Sequence, residues 1–152
     1  MPFHIVLVHP EIPQNTGSIG RLCVSTNAQL HLVHPLGFDS SDAAVRRAGL
    51  DYWKHLNPSH YTDWADFLGR NPAGRLWLFT TKGERRHTDV RWQDGDGLVF
   101  GRETAGLPAE ILAEFPDQLV KIPMPGEFHR SLNLAQSAAV GLYEALRQSQ
   151  GW

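Results

Sequence analysis

A chain of 152 residues is long enough to bury a core of its own and short enough for one domain, expected over residues 1–152. Hydrophobic residues make up 41% and charged residues 20%, too apolar for a disordered chain, and no apolar run approaches the roughly 20 residues of a membrane span. The formal net charge of −2 argues against a generally basic nucleic-acid binder. Positive charge is nevertheless concentrated at Arg46-Arg47, at Lys82, Arg85, Arg86 and Arg91, and at His129-Arg130, so RNA binding stays open. Cys23 is the only cysteine. That excludes an internal disulfide and, with no signal-peptide pattern at Met1–His4, makes a reducing cytoplasm the expected compartment.

In chain order, Phe3–His9 is short, apolar and bounded by Pro10 and Pro13, which predicts a buried strand. Thr16–Asn27 carries Ile19, Leu22, Cys23 and Thr26 at helical spacing, with Asn15 or Thr16 as the expected cap. Leu30–His34 predicts a second strand, and Asp42–Gly49 a helix closed by glycine. Tyr61–Gly69 predicts another helix with Trp64, Phe67 and Leu68 on one face. Arg75–Thr80 and Gly97–Phe100 are apolar strands that run into loops containing glycine or lysine. Pro108–Phe115 predicts a short helix opened by proline, Leu119–Ile122 a strand stopped by Pro123 and Pro125, and Asn133–Gln148 the longest helix. Strands alternating with helices imply an α/β fold, a mostly parallel sheet with helices on both faces, whose ligands bind beyond the carboxyl ends of the strands.

Those ends carry the unusual residues. The run Asn15-Thr16-Gly17-Ser18-Ile19-Gly20-Arg21 has neither the dinucleotide-binding glycine spacing nor a phosphate-loop lysine. Its Arg21 can meet a phosphate or a developing negative charge, but taken alone the run is better explained as a capped helix with a surface arginine. Gly101-Arg102-Glu103-Thr104-Ala105-Gly106 follows a strand directly; glycines there let backbone approach a flat ligand, and Glu103 can accept hydrogen bonds. Ile122-Pro123-Met124 leads through a loop to Ser131-Leu132-Asn133, where capping of the last helix suffices to explain the polar residues. Small residues Ala135, Ala138, Ala139 and Gly141 suit close helix packing, within the domain or across a dimer, with Tyr143 beside them. His31 and His34 fall on opposite faces of a strand and no histidine–cysteine cluster is present, so no metal is expected. No serine sits in a nucleophile elbow.

Taken in order, these motifs resemble the SPOUT class of methyltransferases, most closely the TrmL-type tRNA (cytidine/uridine) 2′-O-methyltransferases of the wobble position. The resemblance runs nearly end to end. It covers Pro10–Gly17 with Arg21, Pro35–Phe38, Arg46–Tyr52, Thr80–Gly83 and Gln93–Asp96, then the F-G-x-E-T-x-G-L-P run from Phe100, the Ile122–Met124 run and the Ser131–Leu134 run. Arg102 and Ala105 depart from the residues frequent in relatives, as does Leu132.

The resemblance implies a C-terminal trefoil knot, a homodimer, tRNA as partner and S-adenosyl-L-methionine as methyl donor. It places the donor among Phe79, Thr80, Gly101, Glu103, Gly106, Ile122, Met124, Ser131 and Leu132. It gives catalytic roles to Arg21, with Asn133 and Tyr143 as lesser candidates, and a tRNA surface to Asn15, Arg21, Arg46, Arg47, Lys82, Arg85 and Arg130. The alternatives are methylation at another tRNA or rRNA site, or an RNA-binding knot that does not turn over.

Overall fold

The computed structural model describes residues 1–47, 52–128 and 130–152. The expected helix end at Gly49 and the side chain of Arg46 lie outside the described residues. Strands β1 (His4–Val8), β2 (Gln29–Val33), β3 (Ser59–Tyr61), β4 (Leu76–Phe79), β5 (Arg85–Arg86), β6 (Gly97–Phe100) and β7 (Leu119–Lys121) form one sheet in the order β3-β2-β1-β6-β4-β7-β5. Every neighbouring pair runs parallel, for example Ile5 opposite Leu30 on one side and Leu98 on the other. The helices are α1 (Pro13–Thr26), α2 (Asp42–Arg47), α3 (Trp53–Leu56), α4 (Trp64–Arg70), α5 (Ala109–Glu114) and α6 (Leu134–Gln150).

The apolar strands are buried on both faces because alternate residues feed two cores. Ile5, Leu7, Trp77, Phe79, Leu98 and Phe100 pack under α1 and α6 with Ile19, Ala138 and Leu142. Val6, Val8, Leu76, Leu78 and Val99 pack on the other face with Trp64, Phe67, Ile111 and Leu112 of α4 and α5. Gly141 is explained by the sheet rather than by a neighbouring helix: a Cβ there would lie 2.8 Å from Phe79 and 3.3 Å from Leu98. The longest helix therefore lies directly on the strands whose ends bear the loops of interest.

Two element starts lie three residues from expectation. Helix α1 begins at Pro13 and not Thr16, with Ile12 as a cap that offers no side chain; proline at the first position, where no amide bond is lost, is the reason. Tyr61 ends a strand rather than opening a helix, and α4 starts after Asp63, whose carboxylate accepts from the Asp66 amide at 2.8 Å.

The Gln93–Asp96 run has an architectural use. Asp96 is 2% exposed at its side chain and accepts from Arg75 at 3.0 and 2.7 Å and from the Gln93 amide at 2.9 Å. This pins the turn before β6 to the start of β4.

Candidate functional site

Three loops leave the carboxyl ends of β4, β6 and β7, which lie side by side in the sheet, and they meet around one cavity of about 320 Å³. Phe79, Thr80 and Lys82 come from the first loop, Gly101, Glu103 and Gly106 from the second, and Ile122, Met124, Ser131 and Leu132 from the third. All nine residues expected around a methyl donor are thus brought together. The stacked rings of Phe79 and Phe100, with centroids 4.5 Å apart, provide an apolar side, as do Leu112 and Leu134. The sequence reading missed Phe100, Leu112 and Leu134, although Phe100 immediately precedes the glycine motif.

The second loop is folded back on itself. Gly106 has φ +69° and donates its amide to Arg102 O at 2.9 Å. A Cβ on Gly101 would stand 2.1 Å from the Gly106 carbonyl carbon, so only glycine allows this crossing.

Glu103 does not present a free carboxylate to the cavity. It accepts from the Glu11 and Ile12 amides at 2.8 Å each and from Asn15 Nδ2 at 3.3 Å. It thereby satisfies donors at the start of α1 that no local side chain caps. Asn15, expected as a cap or an RNA contact, spends its amide on Glu103 instead. The contact is reciprocal: Glu11 accepts from the Thr104 amide at 3.1 Å and hydroxyl at 2.8 Å. These bonds, the Thr104 hydroxyl first, hold the Glu11 carboxyl below its ordinary pKa. The second loop and the first turn of α1 are one locked unit.

Behind the shared wall of Glu103, Ser131, Leu132 and Leu134 lies a second cavity of about 380 Å³, bordered also by Ile12, Asn15, Arg130 and Asn133. Asn133 caps α6, accepting from the Gln136 amide at 2.8 Å while Gln136 accepts from the Asn133 amide at 3.4 Å. Its side chain is engaged in that box at the cavity edge.

Arg21 and Tyr143 are elsewhere. Arg21 is exposed on α1 and borders neither cavity, and Tyr143 is exposed on α6 with its ring 6.2 Å from that of Trp152. Of the expected RNA contacts, Lys82 and Arg130 each border a cavity; Arg47 is exposed on α2, and Arg85 lies over Trp77 at 5.6 Å.

Among the described residues no group of histidine, cysteine and carboxylate side chains could hold a metal ion. The cavity is suited to a partly aromatic ligand read by backbone groups and covered by apolar side chains, and its size falls in the range of small-molecule sites.

Residues 2–143 match the SpoU rRNA Methylase family. The chain is 50% identical over 147 residues to the tRNA (cytidine(34)-2′-O)-methyltransferase of Methylovorus glucosotrophus, covering 96% of this chain and 95% of that one. It superposes with a TM-score of 0.90 and 45% identity on a structure described as giving insight into 2-OH methylation of C/U34 on tRNA, covering 99% of this chain and 97% of that one. It also superposes with a TM-score of 0.82 and 26% identity on an AdoMet-bound rRNA methyltransferase of Sinorhizobium meliloti, covering 96% of this chain and 56% of that one. A seven-stranded parallel sheet with three loops gathered at its carboxyl edge accounts for these likenesses, and the chain belongs to the SpoU rRNA Methylase family.

Proposed function

We propose that this chain is a tRNA 2′-O-methyltransferase that moves the methyl group of S-adenosyl-L-methionine to the ribose 2′-hydroxyl of a cytidine- or uridine-type wobble nucleotide. The observation that carries the reading is the convergence of the loops after β4, β6 and β7 on a single cavity. Near-full-length likeness to wobble-position enzymes supports the substrate.

The cavity fits the donor. Its Phe79–Phe100 side and the Leu112 and Leu134 side chains would cover an adenine ring, and the backbone around Gly101, Gly106 and Ile122 would read its edge. When bound, S-adenosylmethionine supplies a methyl group on a positively charged sulfur. The chain contributes binding and alignment, which are large factors when two reactants must meet in line. Glu103, already engaged with α1, acts as a positioning residue for the walls of both cavities.

The target hydroxyl must also lose a proton. Arg21 stays protonated in almost any protein setting, so its role is to hold an RNA phosphate and stabilise the developing alkoxide, with a phosphate oxygen or water accepting the proton. Because Arg21 lies away from both cavities in one chain, this role asks that RNA, or a second copy of the chain, bring them together. Val24 on α1 and Val140, Tyr143 and Trp152 on or beyond α6 are exposed large apolar residues on helices that pack against each other, and they suit the homodimer. Residues 1–152 act as one catalytic domain, the knot included, and the site of action is the cytoplasm. No helix among the described residues is long and apolar enough to cross a membrane.

The family's description favours one second reading, methylation of rRNA. Mass mapping of tRNA and rRNA after incubation with pure protein and labelled donor separates the two: label on the tRNA wobble ribose supports the proposal, and label confined to rRNA refutes it. Arg21→Ala and Arg21→Lys should retain donor affinity while single-turnover methylation falls at least about tenfold, the scale of a lost charge-assisted contact. Wild-type rates in both would remove Arg21 from the mechanism.

A further inference from the structure

Of the arginines whose side chains the structure describes, only Arg75 and Arg102 are half-buried rather than exposed. Arg75 has its anion, the Asp96 carboxylate, at 3.0 and 2.7 Å. Arg70, Arg86 and Arg147, although exposed, also have carboxylate partners. Arg102 has none. Among the described residues its side chain has no hydrogen bond, ion pair or aromatic face. Glu11 senses its charge, but the Glu11 carboxylate is already engaged by the Thr104 amide and hydroxyl. Those two bonds lower the Glu11 pKa more than Arg102 does. A guanidinium partly withdrawn from water and left unpaired carries a cost that a bound anion relieves.

Arg102 borders the first cavity, and its backbone is fixed there. Its amide donates to Gly106 O at 3.3 Å, and its carbonyl accepts from the Gly106 amide at 2.9 Å. The cavity's other ionic groups narrow the choice of ligand. Glu103 gives its carboxylate to the start of α1, which leaves Arg102 and Lys82 as the unpaired charges of the border. Lys82 is exposed, so water and salt screen its ammonium. Phe79, Phe100, Leu112 and Leu134 suit a ring and not an anion. S-adenosylmethionine carries a single anionic group, the carboxylate of its amino-acid tail, beside a cationic ammonium and a cationic sulfonium. A guanidinium matches a carboxylate with two parallel hydrogen bonds, which an ammonium cannot do.

Resting on the methyltransfer reading above, we infer that Arg102 binds the carboxylate of the donor's amino-acid tail. Lys82 adds only a screened attraction from the same border. Arg102 is then a specificity-determining residue, which separates adenosine compounds that keep this carboxylate from those that have lost it. It takes no part in holding RNA.

The test is isothermal titration of the full chain with two unreactive probes. One is S-adenosylhomocysteine, which keeps the tail; the other is its decarboxylated counterpart, with the same adenosine, thioether and amine. Wild type should bind the decarboxylated probe about tenfold or more weakly, the scale of a hydrogen-bonded charge pair. Arg102→Ala should lose a similar factor on S-adenosylhomocysteine and nothing on the decarboxylated probe. Arg102→Lys should recover part of that loss, and Lys82→Ala should lose no more than about threefold, the scale of an exposed pair. The ratio of the two affinities within one variant cancels any change in the folded fraction. Equal affinity of wild type and Arg102→Ala for S-adenosylhomocysteine would overturn the inference. An equal loss on both probes would overturn it too, assigning Arg102 to the shape of the loop. So would weakened tRNA binding with unchanged S-adenosylhomocysteine binding, which would place Arg102 on an RNA phosphate. Failure of the wild type to bind either probe would instead refute the methyltransferase reading, and the inference with it.

Discussion

The two loops that face each other across the first cavity are built on opposite principles. Residues 101–107 are fixed at every turn: Gly101 lies under Gly106, Arg102 and Gly106 bridge, and Glu103 and Thr104 exchange hydrogen bonds with Glu11, Ile12 and Asn15. Residues 123–132, among the described residues, have no internal hydrogen bond until Asn133 caps α6, and most of their side chains are exposed. One wall is ready before any ligand arrives, and the other can adapt to it. A site with two substrates gains from this division, because a preformed wall limits the ordering cost of binding while an adaptable one accommodates a large RNA.

The contrast can be broken most sharply at Gly101. Gly101→Ala puts a methyl group where backbone already stands, 2.1 Å away; loss of donor binding by at least about 100-fold is expected from an overlap that forces the loop open. Isothermal titration with S-adenosylmethionine measures this, and intact affinity would show that the wall is not rigid.

Glu103→Gln tests the lock itself. It removes the charge and turns an amide donor towards donors at the start of α1, which should cost about 1–3 kcal/mol of stability. Urea unfolding reads the change, and a cost under about 0.5 kcal/mol, the level of an ordinary surface substitution, would mean that the Glu103 bonds contribute little.

A smaller effect comes from outside both walls and serves as a control. His31 is buried between His4 and Tyr61, at 2.9 Å from each, and burial pushes its pKa down to about 4. The unfolded chain takes up that proton near 6.5, so the stability is complete above pH 6.5 and is lost as pH falls towards 4. Inside this window the slope should be about 1.4 kcal/mol per pH unit for this one proton. His31→Gln should flatten it while leaving donor affinity at pH 7 unchanged; an equally steep slope in the variant would assign the acid sensitivity to another group. The smallest effect is expected at Gly126, where a Cβ meets nothing within 4 Å. Gly126→Ala should change stability by no more than about 0.5 kcal/mol, checked by the same unfolding curves.

How much of this was legible in the residues follows from the range of the forces involved. The strands at Phe3–His9 and Gly97–Phe100 could be read, because apolar runs and the glycine and proline residues that end them act over a few positions; the convergence of the loops came from the family resemblance alone. The start of α1 could also have been read from Pro13, a first-turn signal that capping by Asn15 or Thr16 obscured. Asp63 with Asp66 likewise marked the start of α4, but the helical spacing of Trp64 and Phe67 drew the boundary back to Tyr61. The role of Glu103 was out of reach, since its partners lie 88 to 92 positions away in the chain. A glutamate between two glycines looks equally suited to a ligand or to a distant helix end. The pairing of Arg75 with Asp96 is of the same kind.

Glu103, Ser131, Leu132 and Leu134 belong to the boundary of both cavities. A partition between two cavities leaves little freedom to mutation, because any side chain that fills one side intrudes on the other. Substitutions that change one cavity without the other therefore fall away from the partition, at residues such as Lys82 and Met124 on one side or Ile12 and Arg130 on the other.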